Sequence, residues 1–341
     1  MAERKIAVLG TGANGAGIAA DLVRAGRDVT FIEQWPEHVE AMRKNGVRVE
    51  LPDETQTTQV RALHLCEVAT LREKFDVVFV LVKAYDTRWA CELIKPYVAD
   101  DGVVIGVQNG MTIDPMMEII GADRTLGAVI EVSAALFTPG VVERHTPRSG
   151  SWFAVGGLNP TAHARAAEVA GILSAAGTVE VVEDIRSAKW MKLVLNAAEL
   201  VPSAILDMTM LDTARVPGMH EFMLRAGYEA IQTAVALGQR VVPLFGMDVD
   251  LADLEGFVDK TLNAVYDRWS LPHTRTTVLH DWMKGRHSEV DEINGLVVRE
   301  QARLGGSAPV NSHIVEIAHR IEKGDLAADP SNVDLLLGAT L

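Results

Sequence analysis

Residues 10–15 read Gly10-Thr11-Gly12-Ala13-Asn14-Gly15, a G-x-G-x-x-G loop suited to close contact with a phosphate. In such a loop the first glycine permits a tight turn out of a strand, and the second lets the backbone approach a pyrophosphate. The third lets the following helix pack on the sheet. The N–H groups and positive end of that helix receive the pyrophosphate. Glycine-rich turns are common, so the context decides. The loop follows the apolar run Lys5 to Leu9, precedes the helical spacing of Ile18, Leu22 and Val23, and is followed by the apolar run Val29 to Ile32. That β-turn-α-β setting marks a dinucleotide site. Glu33 stands at the end of the second run, 18 residues after Gly15. An acidic side chain there accepts hydrogen bonds from the adenosine ribose and repels a 2′-phosphate. Gln34 comes next, and no Arg or Lys appears before Arg43. The expected cofactor is therefore NAD, with NADP as the alternative; a solvated glutamate at a strand end is the plainer reading of Glu33.

Lys192 and Asn196 are spaced i, i+4, which puts both on one face of a helix whose neighbours Leu193, Val194 and Leu195 are apolar. A lysine in a buried helix is costly unless paired or functional, and it suits proton transfer to or from a carbonyl or alcohol oxygen. The alternative is a lysine snorkelling at a helix edge. Thr276-Thr277 looks like a hydroxyl-capped helix start. Glu289 and Asn294 lie in the polar run 285–295, whose usual meaning is a solvated helix face. His273, Arg275 and Arg286 are candidates for a carboxylate site, or else surface residues. The ten histidines include no H-E-x-x-H or H-x-H pair. His280 and His287 share a helix face two turns apart but not a coordination sphere, so no metal is expected.

These groups need a frame. Strand-like runs at Lys5 to Leu9, Val29 to Ile32, Phe75 to Val82 and Val103 to Val107 alternate with helical segments at Pro36 to Asn45 and 87–97. The β-branched run at Phe75 is that of a strand buried on both faces of a parallel sheet. From 126 to 184 the pattern becomes strand-like pieces with turns at Pro139-Gly140 and Gly156-Gly157, the last piece being Val179 to Val182. Beyond Asp184, helical periodicity dominates over 187–200, 218–237, 251–266, 276–303 and 310–322, broken by Pro202, Pro217, Pro243, Pro272 and Gly305-Gly306. The predicted architecture is α/β: a Rossmann-type doubly wound sheet over 1–184, then a mostly α-helical substrate and dimerisation domain over 185–341. The tail after Lys323 is expected to lie on the surface, and residues 218–237 are the candidate homodimer face.

The chain has 341 residues, 48% hydrophobic and 23% charged, with a net charge of −14. That excess of acid argues against a nucleic-acid partner or an anionic membrane surface. No apolar run reaches the ~18 residues a membrane helix needs. The sequence leaves no room for a secretory core before the first strand. Two distant cysteines, Cys66 and Cys91, suit a reducing compartment, so a cytoplasmic location is expected.

The order of motifs resembles the ketopantoate reductase (2-dehydropantoate 2-reductase) family. The match runs from the glycine loop through V-K-A at Val82-Lys83-Ala84 and N-G at Asn109-Gly110. It continues with K-x-x-x-N at Lys192 and Asn196, S/T-S/T-x-L-x-D at 276–281, G-R-x-S/T-E-x-D-x-x-N-G at 285–295 and P-V-N at Pro309-Val310-Asn311. The resemblance implies Lys192 as the general acid or base, Asn109 at the nicotinamide and substrate junction, and Lys83 along the cofactor wall. It further implies Glu289 on the nicotinamide ribose, with Asn196 and Thr277 holding the substrate. Two departures stand out. The family's second amide, one turn beyond the first and just before a proline, is missing at Glu199-Leu200-Val201-Pro202, and the basic residue that grips NADPH is replaced by Glu33-Gln34. Glu131 is a third difference, read here as an exposed side chain. The leading expectation is an NAD(H)-dependent dehydrogenase acting on a small 2-hydroxy acid, or a similar alcohol, and its keto form. An NADPH-dependent 2-dehydropantoate 2-reductase and a non-catalytic dinucleotide sensor are the alternatives.

Overall fold

The computed structural model describes residues 4–247 and 250–338. Residues 1–3, at the start where no secretory core is expected, and 339–341, at the end of the expected surface tail, lie outside them. Two compact units divide the chain, Met1–Arg186 and Ser187–Leu341.

In the first unit β1 (Lys5–Leu9), α1 (Ala13–Arg24) and β2 (Asp28–Glu33) make the β-turn-α-β unit. Next come α2 (Pro36–Asn45), β3 (Val47–Glu50), β4 (Thr55–Thr58) and β5 (Arg61–His64). The alternation resumes with β6 (Phe75–Val80), α3 (Thr87–Ile94), β7 (Val98–Gly106), α4 (Ile113–Ile120) and β8 (Thr125–Glu131). It ends with β9 (Ala134–Ala135), β10 (Val141–Arg144), β11 (Trp152–Gly157), α5 (Pro160–His163), α6 (Ala166–Leu173) and β12 (Thr178–Val181). The main sheet runs β12-β11-β8-β7-β6-β1-β2-β5. Only the β8–β11 pair is antiparallel. Alternate strand residues serve opposite faces, as the pleat requires. Ile6, Val8, Phe31 and Phe79 pack with α1 and α6, whereas Ala7, Leu9, Ile32 and Val78 pack with α3 and α4. Both faces are buried, which explains the continuous apolar runs.

The sequence reading missed a second sheet, β4-β3-β10-β9, and the helices α5 and α6. Two buried polar ties hold that sheet to the first. Arg144, 2% exposed, donates to Asp21 of α1, to Ser151 Oγ and Ala176 O at 2.8 Å and to Thr146 O at 3.0 Å. Arg148 also donates to Asp21, at 2.9 Å. His38 Nδ1 accepts from Gly140 N at 2.8 Å, so its Nε2–H is the donor to Thr11 O at 2.9 Å.

In the second unit α7 (Ile185–Ile205) begins at the boundary and is followed by α8 (Met210–Arg215), α9 (Met219–Ala236) and α10 (Leu254–Trp269). Then come α11 (Thr277–Met283), α12 (Asn294–Arg303), α13 (Pro309–Glu322) and α14 (Val333–Leu337). Four expectations need correction. Pro202 does not break α7, which runs through it. Proline removes the N–H that would bond the carbonyl four residues back. Here that carbonyl is Ala198 O, and on either side of it side chains tie the helix down: Asn294 Nδ2 donates to Ala197 O and Thr276 Oγ1 to Leu200 O, both at 2.9 Å. The expected helix 276–303 is two helices, because Gly285 takes φ +63° and Glu322 holds the intervening turn. Its carboxylate accepts from Ser288 N at 3.0 Å, Ser288 Oγ at 2.6 Å and Trp282 Nε1 at 3.1 Å. His280 and His287 therefore do not share a helix. The tail is anchored rather than laid over the surface, with Leu336 fully buried and Asn332 Nδ2 donating to Ile205 O at 3.0 Å. Finally, the apolar face of α9 (Phe222, Met223, Ala226, Ala230 and Ile231) is buried in the unit's own core against α10, α12 and α13. No described helix is long and apolar enough to cross a membrane.

Removing Arg144 would leave the Asp21 carboxylate buried beside a void. Arg144→Ala is expected to lower unfolding free energy by about 3–5 kcal/mol, read by urea denaturation. A loss under 1 kcal/mol would show that the tie is unimportant. Burial depresses the pKa of His38 below 6.5, and protonating Nδ1 would set its proton against the Gly140 N–H. The unfolded chain then binds the proton first, so this contribution is full above about pH 6.5 and falls away as the pH drops below it. His38→Gln should flatten the melting temperature between pH 6.5 and 5 relative to the native protein.

Candidate active site

In the first unit the sheet order reverses at β1, which has β2 on one side and β6 on the other. Ligands of open α/β sheets bind outside the carboxyl ends of the strands at such a point. The sequence-selected residues of this unit meet there: the glycine loop after β1, Glu33 at the end of β2, Lys83 after β6 and Asn109 after β7. Gly10 has φ +92° and donates to Ile32 O at 2.9 Å; a side chain on it would overlap the backbone of Leu81 and Val82. A side chain on Gly15 would overlap the carbonyl of Gly10, so α1 starts hard against the loop. Gly12 differs: a Cβ there meets nothing within 4 Å. Gly12 caps α1 without a side-chain hydrogen bond, no acidic residue occupies the first turn, and Asn14 Oδ1 is buried with no partner. Open space over an uncapped helix start, with Thr11 and Ala13 beside it, fits a pyrophosphate.

Glu33 is not the solvated side chain that its plainer reading would have. It is 6% exposed, and its Oε1 accepts from Gln34 N at 2.9 Å and Trp35 N at 3.0 Å, while Thr11 Oγ1 donates to Oε2 at 3.3 Å. Backbone donors thus fix the carboxylate at the end of β2. A chain of buried bonds positions the neighbouring loops. Thr87 Oγ1 donates to Ala84 O at 2.7 Å, Gln108 Nε2 to Thr87 Oγ1 at 2.8 Å, and Thr112 Oγ1 to Gln108 Oε1 at 3.2 Å. It ties the Lys83 loop to the Asn109 loop, both half-buried. Sequence reading passed over Gln108, whose only signal is its place before Asn109. Glu131 is 9% exposed, not exposed as expected, because it closes β8 opposite Trp152.

In the second unit Lys192 and Asn196 are 8% and 1% exposed on α7. The snorkelling alternative fails there. They belong to a longer stripe: Lys189, Lys192, Asn196, Glu199 and Ser203 recur at helical spacing on one face, and all are buried. Sequence reading missed Lys189, although it stands one turn before Lys192. Burial pushes its ammonium down to about 7, with Glu289 pulling the other way. Glu289 is itself 4% exposed, so it is not on a solvated face. Lys192 Nζ lies 5.9 Å from the centre of the Phe245 ring, and that ring packs on Trp269 at 4.6 Å. Phe245 has φ +59°, a left-handed conformation that is uncommon for a bulky non-glycine residue. Thr277 opens α11, and the Thr276 hydroxyl caps it by accepting from Leu279 N at 3.3 Å. Arg275 is taken by Asp207 at 2.8 Å, whereas His273 and Arg286 are exposed. No cluster of three or more metal-ligating side chains occurs among the described residues.

Several motif residues are structural. Glu229 of α9 accepts from Val310 N and Asn311 N at 2.9 Å and from Asn311 Nδ2 at 2.8 Å. Asn311 Nδ2 also donates to Ala226 O at 3.0 Å, and Asn294 Nδ2 donates to Asn311 Oδ1 at 2.9 Å. These amides lace α9, α12 and α13 to α7.

Two family models match nearly end to end: the ketopantoate reductase PanE/ApbA model over residues 6–156 and its C-terminal counterpart over 184–322. A 2-dehydropantoate 2-reductase of Archaeoglobus fulgidus is 27% identical over 95% of this chain and 100% of its own. A PanE/ApbA family ketopantoate reductase of known structure from Ralstonia eutropha JMP134 is 28% identical with a TM-score of 0.78, covering 94% of this chain and 99% of the other. A D-mandelate dehydrogenase in ternary complex with NADH and anilino(oxo)acetate shares the fold, with a TM-score of 0.83 at 20% identity, covering 94% of this chain and 98% of the other. Motif order, doubly wound sheet, helical second unit and both models agree: the chain belongs to the ketopantoate reductase PanE/ApbA family of oxidoreductases.

Proposed function

We propose that the chain is an NAD(H)-dependent dehydrogenase that interconverts a 2-hydroxy acid, or a similar small alcohol, and its keto form. The observation that carries the cofactor choice is the buried Glu33 carboxylate, fixed by Gln34 N, Trp35 N and Thr11 at the end of β2. Negative charge there accepts from ribose hydroxyls and opposes a 2′-phosphate. Gly10, Thr11, Gly12, Ala13, Asn14 and Gly15 would hold the pyrophosphate. Lys83 and Asn109 would flank the rest of the cofactor, with Glu289 on the nicotinamide ribose. The bound nicotinamide supplies or accepts the hydride.

Lys192 has the chain's part in the chemistry: it gives a proton to the carbonyl oxygen in reduction and takes it from the alcohol in oxidation. Its burial, with the Phe245 ring nearby, keeps competing water away, and Asn196 and Thr277 orient the substrate's polar groups. Lys189 lies one turn before Lys192 on the same buried stripe. A second reading, an NADPH-dependent 2-dehydropantoate 2-reductase, is favoured by the names of relatives such as the Archaeoglobus fulgidus protein. Assembly as a homodimer accompanies either reading as an expectation.

Fluorescence titration should show NADH bound more tightly than NADPH, and Glu33→Ala should weaken NADH about tenfold or more while NADPH gains. Tighter NADPH in the native protein would favour the second reading. Lys192→Ala should lower kcat by about 10²–10⁴ and leave the NADH Kd unchanged. An unchanged kcat would remove Lys192 from the chemistry.

A further inference from the structure

The imidazole of His38 reaches the glycine loop at a carbonyl whose peptide also carries the N–H of Gly12. His38 lies on α2 and is fully buried. Its Nδ1 accepts from Gly140 N at 2.8 Å, and its Nε2–H donates to Thr11 O at 2.9 Å. Gly140 is a firm anchor. Its O accepts from Arg48 N of β3 at 2.9 Å, and a Cβ on it would stand 3.0 Å from the Ala41 side chain of α2. Thr11 is also held through its side chain, whose hydroxyl donates to Glu33 Oε2 at 3.3 Å. The Thr11 carbonyl and the Gly12 N–H share one planar trans peptide, in which the oxygen and the hydrogen point to opposite sides. Fixing the oxygen on a buried ring therefore turns the Gly12 N–H away from that ring. Gly12 itself is exposed, and a Cβ on it would meet nothing within 4 Å.

We propose that His38 is a positioning residue for the cofactor: by holding Thr11 O it aims the Gly12 N–H at the pyrophosphate of the dinucleotide. The proposal rests on the assignment of the glycine loop to the pyrophosphate given above. A donor that is already aimed forms its charge-assisted hydrogen bond without the loop having to reorganise, so less binding energy is lost to ordering. The second sheet thereby reaches the cofactor through a relay. Arg48 N holds Gly140, Gly140 N holds the ring, and the ring holds the Thr11–Gly12 peptide.

The test separates the two ring nitrogens. A glutamine amide reaches the place of Nε2 and can still donate to Thr11 O. An asparagine amide reaches only the place of Nδ1 and keeps the Gly140 bond alone. Fluorescence titration with NADH and NADPH, and their displacement by ADP-ribose, compares the native protein with His38→Asn, His38→Gln and Gly12→Val, each checked for folding by thermal melting. His38→Asn should weaken all three ligands about tenfold, and His38→Gln should recover most of that loss. The pyrophosphate is common to the three ligands, so the outcome does not depend on which nicotinamide cofactor the native protein prefers. Native affinity in His38→Asn overturns the positioning role, and so do equal losses in both variants, which would mean that the ring only packs. In the native protein the Gly12 amide proton should move downfield in NMR spectra when ADP-ribose binds; an unmoved amide overturns the proposal without any variant. Gly12→Val should abolish binding of all three ligands. If it binds them as the native protein does, the loop assignment itself falls, and the role of His38 with it.

Discussion

Burying five polar side chains on one face of a single helix is the constraint around which the helical unit is built. Lys189, Lys192, Asn196, Glu199 and Ser203 leave water together along α7. An ionised group in an apolar interior is tolerable only when partners answer it. The unit answers two of these charges from other elements: the charge of Glu289 acts on Lys189, and the Phe245 ring stands near Lys192. The opposite side of α7 is apolar and packs as ordinary core, with Leu193, Val194, Leu195 and Ala197 at 1% exposure or less. The same helix thus anchors the unit and gathers its buried polar side chains.

A comparable economy governs the first unit. The glycine loop must approach the Leu81–Val82 backbone so closely that no side chain fits on Gly10. Such a contact is held only if the loop cannot drift. His38 provides that hold, bonding Thr11 O on one side and Gly140 N on the other. The small second sheet is therefore more than decoration. Through His38 and Arg144 it braces the loop and the helix that follow β1.

How much of this was legible depended on whether the signal was local. The unit β1-α1-β2 could be read because glycine spacing and hydrophobic period speak within thirty residues. Strands β3, β4, β9 and β10 are at most four residues long and carry Arg, Glu and Thr, so no period distinguishes them from loop. Pro202 reads as a breaker because the donors that support its helix, Asn294 and Thr276, lie more than seventy residues away. Lys192 and Asn196 were visible from their spacing, and Glu33 from its offset. Lys189, Gln108 and Phe245 were not, since burial, a relay of hydrogen bonds and a left-handed backbone leave no mark in a local pattern.

The residues that build the frame are largely separate from those that would choose cofactor and substrate. Asn311 and Glu229 bond backbone and each other, Asn294 Nδ2 donates to Ala197 O and Asn311 Oδ1, and Glu322 holds Ser288 and Trp282. Losing any of them would loosen the fold whatever reaction it served. Glu33 stands at a strand end, and Glu199 lies within the buried stripe of α7. The lacing of α7, α9, α12 and α13 runs through Asn294, Asn311 and Glu229 instead. A chain can thus keep the motifs of its family nearly end to end and still carry one buried carboxylate at the end of β2 and another on α7.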